Sequence, residues 1–587
     1  MAATDNTLRH ILVEMKYSDA VFASAMTLDG TEAKPLKKDF LKNLPGCELD
    51  TDFLPVEIPR MIQPDGAAPG IRDPFDLSMG RSIGEEHESN TFLLRSTVAE
   101  NDLADFEVAA KSDRSVEAIY ADPMIEETSV TERSEEEMLA TLPRVCPASP
   151  PLGSDRHVAA RLGVPWLRRR RMDGRGVYMA IVDTGINLAY LRRRGRMPML
   201  DTARSWMARP GDLPGRLPVG HGTMVAYDTM IAAPRATLLD IALLRSSRRG
   251  GSIMAGLLSD AIRAYAHLYR VVRGPHRPGA FASLVVNNSW GMFHDSWDFP
   301  RGHPGRYADN PAHPFNRIVG VLAHAGADIL FAAGNCGREC PDGRCQGVTD
   351  GGIYGANSHS QVITVAGVDV LKRRVGYSTS GPGKITYLKP DLCGYTHFRG
   401  SGVYPADGGT SAATPVVAGL VAAFRSRFPY NAADFRTSPA AIRNLLMRTA
   451  EDRGSIGFDF DFGWGIANGR RLALIRSLSV MQPQEQAATS IDELTDVEAV
   501  LDRIDGLELV EPMPEEMEAA REEKIAEIPA AGELDVLPEV ESLRAAIAAG
   551  HGPAEETVTK AQAKLVEAMS ATAAAETDGT ASGAELH

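Results

Sequence analysis

The sequence predicts an α/β domain built on a parallel sheet, with a small α+β domain before it and an acidic tail after it. At 587 residues the chain is longer than one ordinary domain, so several structural units are expected. Within the central part, short apolar runs alternate with helix-length segments, a pattern typical of strands buried on both faces of a parallel sheet. These runs lie at residues 177–182, 238–244, 284–287, 328–332 and 362–365.

Residues 1–127 are predicted to form the α+β domain. Strand-like runs occur at residues 11–15 and 91–94, and a mixed segment covers 116–126. The stretch 64–80 is rich in Pro and Gly and is predicted to be a long loop. Residues 128–155 then read as a linker, because an acidic run is followed by Pro and Ser. The α/β domain is expected to cover 156–478.

The tail, residues 479–587, differs from the rest in charge and composition. From 481 to 587 there are 25 acidic and 6 basic residues, a net −19, so the remainder carries +4 of the total −15. This part contains no Phe, Trp or Tyr. A segment of this kind cannot bury a core, which predicts disorder with transient helices. Residues 538–569 have helical apolar spacing, which suggests docking on a partner protein.

Charge and hydropathy indicate the expected location of the protein and the kinds of partner it can have. No apolar run approaches eighteen residues and the first residues lack a signal-peptide pattern, so a soluble, cytoplasmic protein without membrane contact is expected. The basic runs 168–171 and 192–194 lack interleaved aromatic residues. They are therefore interpreted as solvated faces, and no nucleic-acid partner is expected.

Six cysteines are too few for a disulfide scaffold in a chain of this length. Cys336, Cys340 and Cys345 are clustered, and their spacing fits a zinc site, a local disulfide or free thiols. No fourth ligand is evident beyond Cys393. In a reducing cytoplasm free thiols are the favoured interpretation, and no metal site is predicted.

The stretch Gly408-Gly409-Thr410-Ser411-Ala412-Ala413-Thr414-Pro415 predicts a tight turn leading into a helix. Pro415 is expected in the first helical turn, where its missing N–H is tolerated. Residues 416–424 are apolar on every side, which is typical of a helix inside a core. Ser411 would then be held rigidly in the positive field of a helix N-terminus, although a serine there can also be a simple helix cap.

Three other motifs lie at predicted strand or helix junctions. Asp183-Thr184-Gly185 ends the first strand of the domain, and because no second copy exists, an aspartic protease is excluded. His221 stands between two glycines that let the backbone turn closely. Asn335 follows the strand at 328–332, where its amide can donate to an oxyanion. Taken singly, each residue also fits an ordinary turn or strand end.

Together, in the chain order Asp, His, Asn, Ser, these motifs resemble the subtilisin-like serine protease family. The resemblance covers about residues 156–476 and includes Ser289-Trp290-Gly291. It implies a subtilisin-like three-layer fold. Residues 90–127 are similar, more faintly, to the family's inhibitory propeptide. The hypothesis for control is that residues 1–127 cover the cleft until the linker is cleaved.

The resemblance also implies a role for each motif. Ser411 would be the nucleophile, His221 the general base, and Asp183 the residue that orients the imidazole. Asn335 would donate to the oxyanion together with the Ser411 backbone N–H. By the same analogy an extended peptide would pair, as an added strand, with Ser289, Trp290 and Gly291.

The predicted function is therefore a serine endopeptidase that acts on a protein or peptide substrate and needs no cofactor. Two alternatives stay open. A transpeptidase or macrocyclase would use the same acyl-enzyme and capture it with an amine. A non-catalytic protein of the same fold would bind peptides without turning them over.

Overall fold

A computed structural model describes most of the N-terminal and central parts of the chain. The described residues are 8–18, 36–37, 40–58, 91–128, 145–245, 255–274 and 282–478, together with Val21 and Ser24. The predictions for the 64–80 loop, for most of the linker and for the acidic tail with its partner fall outside these residues.

In its described residues, the N-terminal domain is an antiparallel sheet with a helix of ten residues. Its strands have the order β2-β4-β1-β5, and β3 pairs with β4. A sixth strand, β6, follows β5 in the chain but belongs to a separate sheet, in which it pairs with two strands of the central domain. The elements are β1 Leu8–Lys16, β2 Cys47–Leu49, β3 Val56–Ile58, β4 Thr91–Ala99, α1 Leu103–Ser112, β5 Val116–Ala121 and β6 Met124–Glu127.

The central domain alternates strands and helices, as the sequence predicts. Its first half contains α2 Asp155–Leu162, α3 Val164–Arg169, β7 Val177–Asp183, α4 Leu188–Arg193, β8 Met199–Leu200, β9 Trp206–Met207, α5 His221–Thr229, β10 Thr237–Ala242, β11 Ala255–Leu257 and α6 Leu258–Arg273. Its second half contains β12 Ser283–Asn288, β13 Trp290–Gly291, α7 Pro314–His324, β14 Ala327–Ala332, β15 Ile363–Val368, β16 Leu392–Tyr395, α8 Gly409–Arg425, α9 Pro439–Arg448 and α10 Gly469–Leu474.

The central sheet has eight strands, and every pairing in it is parallel. The order is β16-β15-β14-β12-β7-β10-β8, with β9 beside β10. Along β7 alternate side chains enter two separate apolar clusters, one shared with α5 and α8 and the other with α6 and α7. Both faces of the sheet are therefore covered by helices, and the predicted three-layer α/β fold is confirmed.

Helix α8 runs through the middle of one apolar cluster. Every residue of α8, from Gly409 to Arg425, is buried. The prediction of a helix inside the core is therefore confirmed. A buried helix is held by packing on all sides, which fixes the position of the residues in its first turn.

The N-terminal domain docks against α6 and α7 through apolar and charged contacts. Leu12 and Leu93 enter the apolar cluster of those helices. Nη1 of Arg317 donates to Oε1 of Glu14 at 2.9 Å, and both side chains are buried. Charged groups at such depth are tolerated because each has its partner, so this pair contributes to a specific mode of docking.

Four of the six cysteines are paired in disulfides. Cys336 is bonded to Cys345, and Cys146 to Cys340. The preference for free thiols in the cluster was therefore wrong. The spacing within the cluster could not reveal the second bond, because its partner lies 194 residues away in sequence.

The disulfides also bear on the expected location. Disulfides persist in oxidising compartments and are uncommon in the cytosol. They argue against the cytoplasmic location, which stays a prediction. In the described part of the chain, no helix combines the length and the apolar character needed to cross a bilayer.

Residues 145–155 pack on the central domain. The Cys146–Cys340 bond anchors them, and Gly376 N donates to the Val145 carbonyl oxygen at 2.8 Å. Further along, Leu152 N donates to the His397 carbonyl oxygen at 2.9 Å. These contacts begin before residue 156, which is the predicted first residue of the α/β domain. The predicted domain boundaries themselves stay predictions.

One buried ion pair allows a direct test of the packing around α8. Arg425 donates from Nε and Nη2 to the Asp328 carboxylate at 2.6 and 2.7 Å, and both side chains are fully buried. Asp328→Ala would leave the guanidinium charge without its carboxylate. We expect the free energy of unfolding to fall by roughly 3–5 kcal/mol.

The measurement is urea unfolding of the whole protein, followed by tryptophan fluorescence. The matched control is Asp434→Ala, which breaks a partly exposed pair with Arg436 and the cap of a short 3-10 turn, and it should lower the free energy of unfolding much less than Asp328→Ala does. Equal midpoints for the Asp328 and Asp434 variants would contradict this account.

Candidate active site

The four residues predicted to carry the chemistry come together at the carboxyl edge of the parallel sheet. Asp183 is the last residue of β7, and Asn335 lies three residues after β14. His221 is the first residue of α5, and Ser411 is the third residue of α8. In parallel sheets this edge is where ligands bind. All four side chains are buried in the presence of the N-terminal domain.

Asp183 holds the imidazole of His221. Nδ1 of His221 donates to Oδ1 of Asp183 at 2.8 Å, and the Thr184 backbone N–H donates to the same oxygen at 2.7 Å. Burial lowers the His221 pKa, but the charge and hydrogen bond of Asp183 raise it more, so the net direction is upward. In the described part of the chain, Nε2 of His221 has no hydrogen-bond partner.

The glycine after His221 is needed for this geometry. A Cβ atom at Gly222 would lie 2.6 Å from the carbonyl oxygen of Gly185. The start of α5 thus approaches the turn after β7 too closely for any larger residue. This close approach brings His221 within hydrogen-bond distance of Asp183.

Ser411 lies in the first turn of α8, but Pro415 does not. Pro415 is the seventh residue of the helix, so the prediction that it occupies the first turn was wrong. In this position its missing N–H leaves the Ser411 carbonyl without the usual helical donor. The Ser289 hydroxyl donates to that carbonyl at 3.0 Å instead. Ser289 thereby fixes the backbone of Ser411.

The side chain of Asn335 is oriented by Thr410, a residue that the sequence analysis did not single out. Oδ1 of Asn335 accepts from the Thr410 backbone N–H at 2.9 Å and from its hydroxyl at 3.1 Å. Nδ2 therefore points into the cleft. There it donates to the carbonyl oxygen of Thr128.

Residues 124–128 occupy the cleft as an extended strand. β6 lies between β11 and β13 and pairs with both in antiparallel fashion. Beyond β6, the Thr128 N–H donates to the Ser289 carbonyl at 3.0 Å. The Thr128 hydroxyl lies 2.6 Å from Oγ of Ser411. Thr128 was not among the predicted site residues, because a strand pattern does not show which partner the strand will meet.

The Ser289-Trp290-Gly291 segment pairs with an extended strand, which here is a segment of the chain itself. Trp290 is opposite Glu127 and Gly291 is opposite Glu126. The indole of Trp290 does not face this strand. It is fully buried, packs edge-on against Phe331 and donates to the Val182 carbonyl. Trp290 contributes its backbone to the pairing and its side chain to the core.

The side chain of Glu126 also contacts the cleft, through a hydrogen bond to an arginine. Oε2 of Glu126 accepts from Nη1 of Arg344 at 2.8 Å. Arg344 belongs to the loop that the Cys336–Cys345 disulfide closes. Arg344 was not among the predicted site residues, and no local motif marks it.

Several known proteins are similar in sequence to the central part of this chain. The sequence profile of the Subtilase family matches residues 174–465. Subtilisin DY of Bacillus licheniformis is 31% identical over 313 residues, which are 52% of this chain and 96% of that protein. Subtilisin Savinase of Lederbergia lenta is 26% identical over 316 residues, 53% of this chain and 95% of that protein. The solved structure of Sphericase aligns with 50% of this chain and 92% of its own, at 21% identity and a TM-score of 0.37. The chain belongs to the subtilase family.

Proposed function

We propose that this protein is a serine endopeptidase that uses Ser411 as nucleophile, His221 as general base and Asp183 as the residue that orients the base. Membership of the subtilase family supports the endopeptidase activity. The observation that carries the assignment of residues is the position of Thr128. Its carbonyl oxygen accepts from Asn335 while its side chain touches the Ser411 hydroxyl, as expected for a residue at the cleaved bond.

The reaction would proceed through two acyl transfers. Ser411 Oγ exchanges its contact with Thr128 for Nε2 of His221, gives up its proton to that nitrogen and attacks the substrate carbonyl. Asn335 Nδ2 and the Ser411 backbone N–H stabilise the negative oxygen of the tetrahedral intermediate. The intermediate then expels the amine, which takes the proton from His221. Water repeats these steps on the acyl-enzyme and releases the acid.

In the same proposal the N-terminal domain is an inhibitory propeptide. Its last described residues fill the cleft in the direction and register of a substrate strand, antiparallel to β13. The bond after Thr128 would be the bond that is cut, because the carbonyl beside Asn335 belongs to Thr128. This places the cut at the start of the predicted linker.

Self-cleavage between Thr128 and Ser129 is the first test. We expect the purified protein to yield two fragments with these ends, and Ser411→Ala to stay whole, because no other group would attack the Thr128 carbonyl. The measurement is intact mass with and without a fluorophosphonate probe, which should label Ser411 in the unchanged protein only.

The matched control is Ser112→Ala, an exposed serine of α1 that should not affect cleavage or labelling. Hydrolysis adds one water to the summed fragment masses, whereas capture by an amine does not, so the same spectra distinguish a transpeptidase. The same cut in Ser411→Ala would contradict the proposal, and so would a failure of the probe to label Ser411 in molecules that have released the N-terminal fragment.

The pH dependence of kcat tests the role of Asp183. Only neutral His221 can accept a proton, so kcat should fall as pH decreases through the His221 pKa. Because Asp183 raises that pKa, this limb should lie above the ordinary histidine value of 6.5. Asp183→Asn should move the limb to lower pH and reduce kcat by about 10³- to 10⁴-fold.

The measurement is kcat for a peptide substrate from pH 5 to 9, since kcat reports the pKa in the substrate-bound state. Asp434→Asn, a substitution of an exposed carboxylate outside the cleft, serves as control and should keep the profile of the unchanged protein. An acid limb that stays in place in Asp183→Asn would refute the assigned role.

A further inference from the structure

The loop that closes over the cleft beside Asn335 presents a fixed arginine to the strand in the cleft. The Cys336–Cys345 disulfide closes this loop, and both cysteines are buried. The loop is also tied to the backbone of the proposed oxyanion donor, because the Asp342 N–H donates to the Asn335 carbonyl at 2.9 Å. The loop and Asn335 therefore form one rigid unit.

Arg344 is held on two sides before it meets the strand. Its Nε and Nη2 donate to the two carboxylate oxygens of Asp342, each at 3.0 Å. Its guanidinium carbon lies 3.8 Å from the ring centroid of Phe293, in a cation–π contact. These contacts leave Nη1 directed at Glu126. An arginine fixed in this way loses little side-chain entropy when it binds a carboxylate.

The register of β6 determines which position of a bound peptide Arg344 meets. Glu126 pairs with Gly291 on one side and with Ala255 on the other. It lies two residues before Thr128, whose carbonyl is at Asn335. A peptide bound in the same register would place the third residue before its cleaved bond against Arg344.

We propose that Arg344 is a specificity-determining residue that selects substrates with Glu or Asp at the third position before the cleaved bond. This inference rests on the proposed endopeptidase function and names its substrate class. Glu126 of the N-terminal domain is then a side chain of the preferred type that Arg344 already binds. The salt bridge is about one-fifth exposed on each side, so water weakens it without removing it.

Three matched peptides test this inference. They share the sequence Ile-Xaa-Glu-Thr-Ser of residues 125–129, with Glu, Gln or Lys at Xaa. The purified protein is used after its self-cleavage and the release of the N-terminal fragment, and the open active sites are titrated with the fluorophosphonate probe. We expect kcat/KM for the Glu peptide to exceed that for the Gln peptide by about five- to tenfold, as one charge-assisted hydrogen bond allows. The Lys peptide should be cleaved more slowly still.

Variants of Arg344 test whether this residue causes the preference for the Glu peptide. Arg344→Gln should lower kcat/KM for the Glu peptide more than for the Gln peptide, so that their ratio falls to about one. Arg344→Glu should make the Lys peptide the better substrate. Arg338→Gln is the matched control, because Arg338 lies in the same loop but pairs with Asp350 and does not contact Glu126, and it should keep the original ratio.

Three results would contradict this inference. Equal rates for the Glu and Gln peptides would overturn the role of Arg344 while leaving the endopeptidase function intact. An unchanged ratio in Arg344→Gln would do the same. Absence of both probe labelling and hydrolysis after release of the N-terminal fragment would overturn the endopeptidase function, and this inference with it.

Discussion

The arrangement of this protein depends on one constraint, the parallel direction of all eight strands in the central sheet. Parallel strands end at the same edge, so residues distant in sequence converge there without any local signal that joins them. Asp183 and Asn335 reach the edge from β7 and β14, while His221 and Ser411 open the helices α5 and α8. The N-termini of those helices add a positive field where negative charge would develop.

The site residues that the sequence could predict are those that lie in recognisable short motifs. His221 is an example, because it stands between two glycines, and the second of them permits no side chain beside Gly185. Thr128 and Arg344 could not be found in this way. Thr128 matters because it pairs with Ser289, 161 residues away, and Arg344 because its loop lies beside that pairing. Such roles follow from tertiary contacts, which one sequence does not display.

Two differences between expectation and structure have a common physical origin. Pro415 was predicted in the first helical turn, where no N–H is needed from it. In the structure it lies one turn later, and the Ser289 hydroxyl replaces its N–H as the donor to the Ser411 carbonyl. Trp290 was expected to contact a bound peptide, but its indole N–H donates to the Val182 carbonyl in the core. In both cases a distant residue satisfies a polar group and so permits a conformation that local preference does not favour.

In the proposed mechanism, cutting the bond after Thr128 and releasing the N-terminal domain are separate steps, because other contacts still hold the domain in place. The buried pairs Glu14–Arg317 and Arg95–Asp260 join strands β1 and β4 to helices α7 and α6, and neither pair involves β6 or Thr128. Cutting that bond would leave both pairs intact, along with the pairing of β6 in the cleft. Release would then require that buried charges separate and regain water, a process slower than the loss of exposed contacts. The strength of this docking, more than the chemistry at Ser411, would therefore set how soon a cleaved molecule becomes open to other substrates.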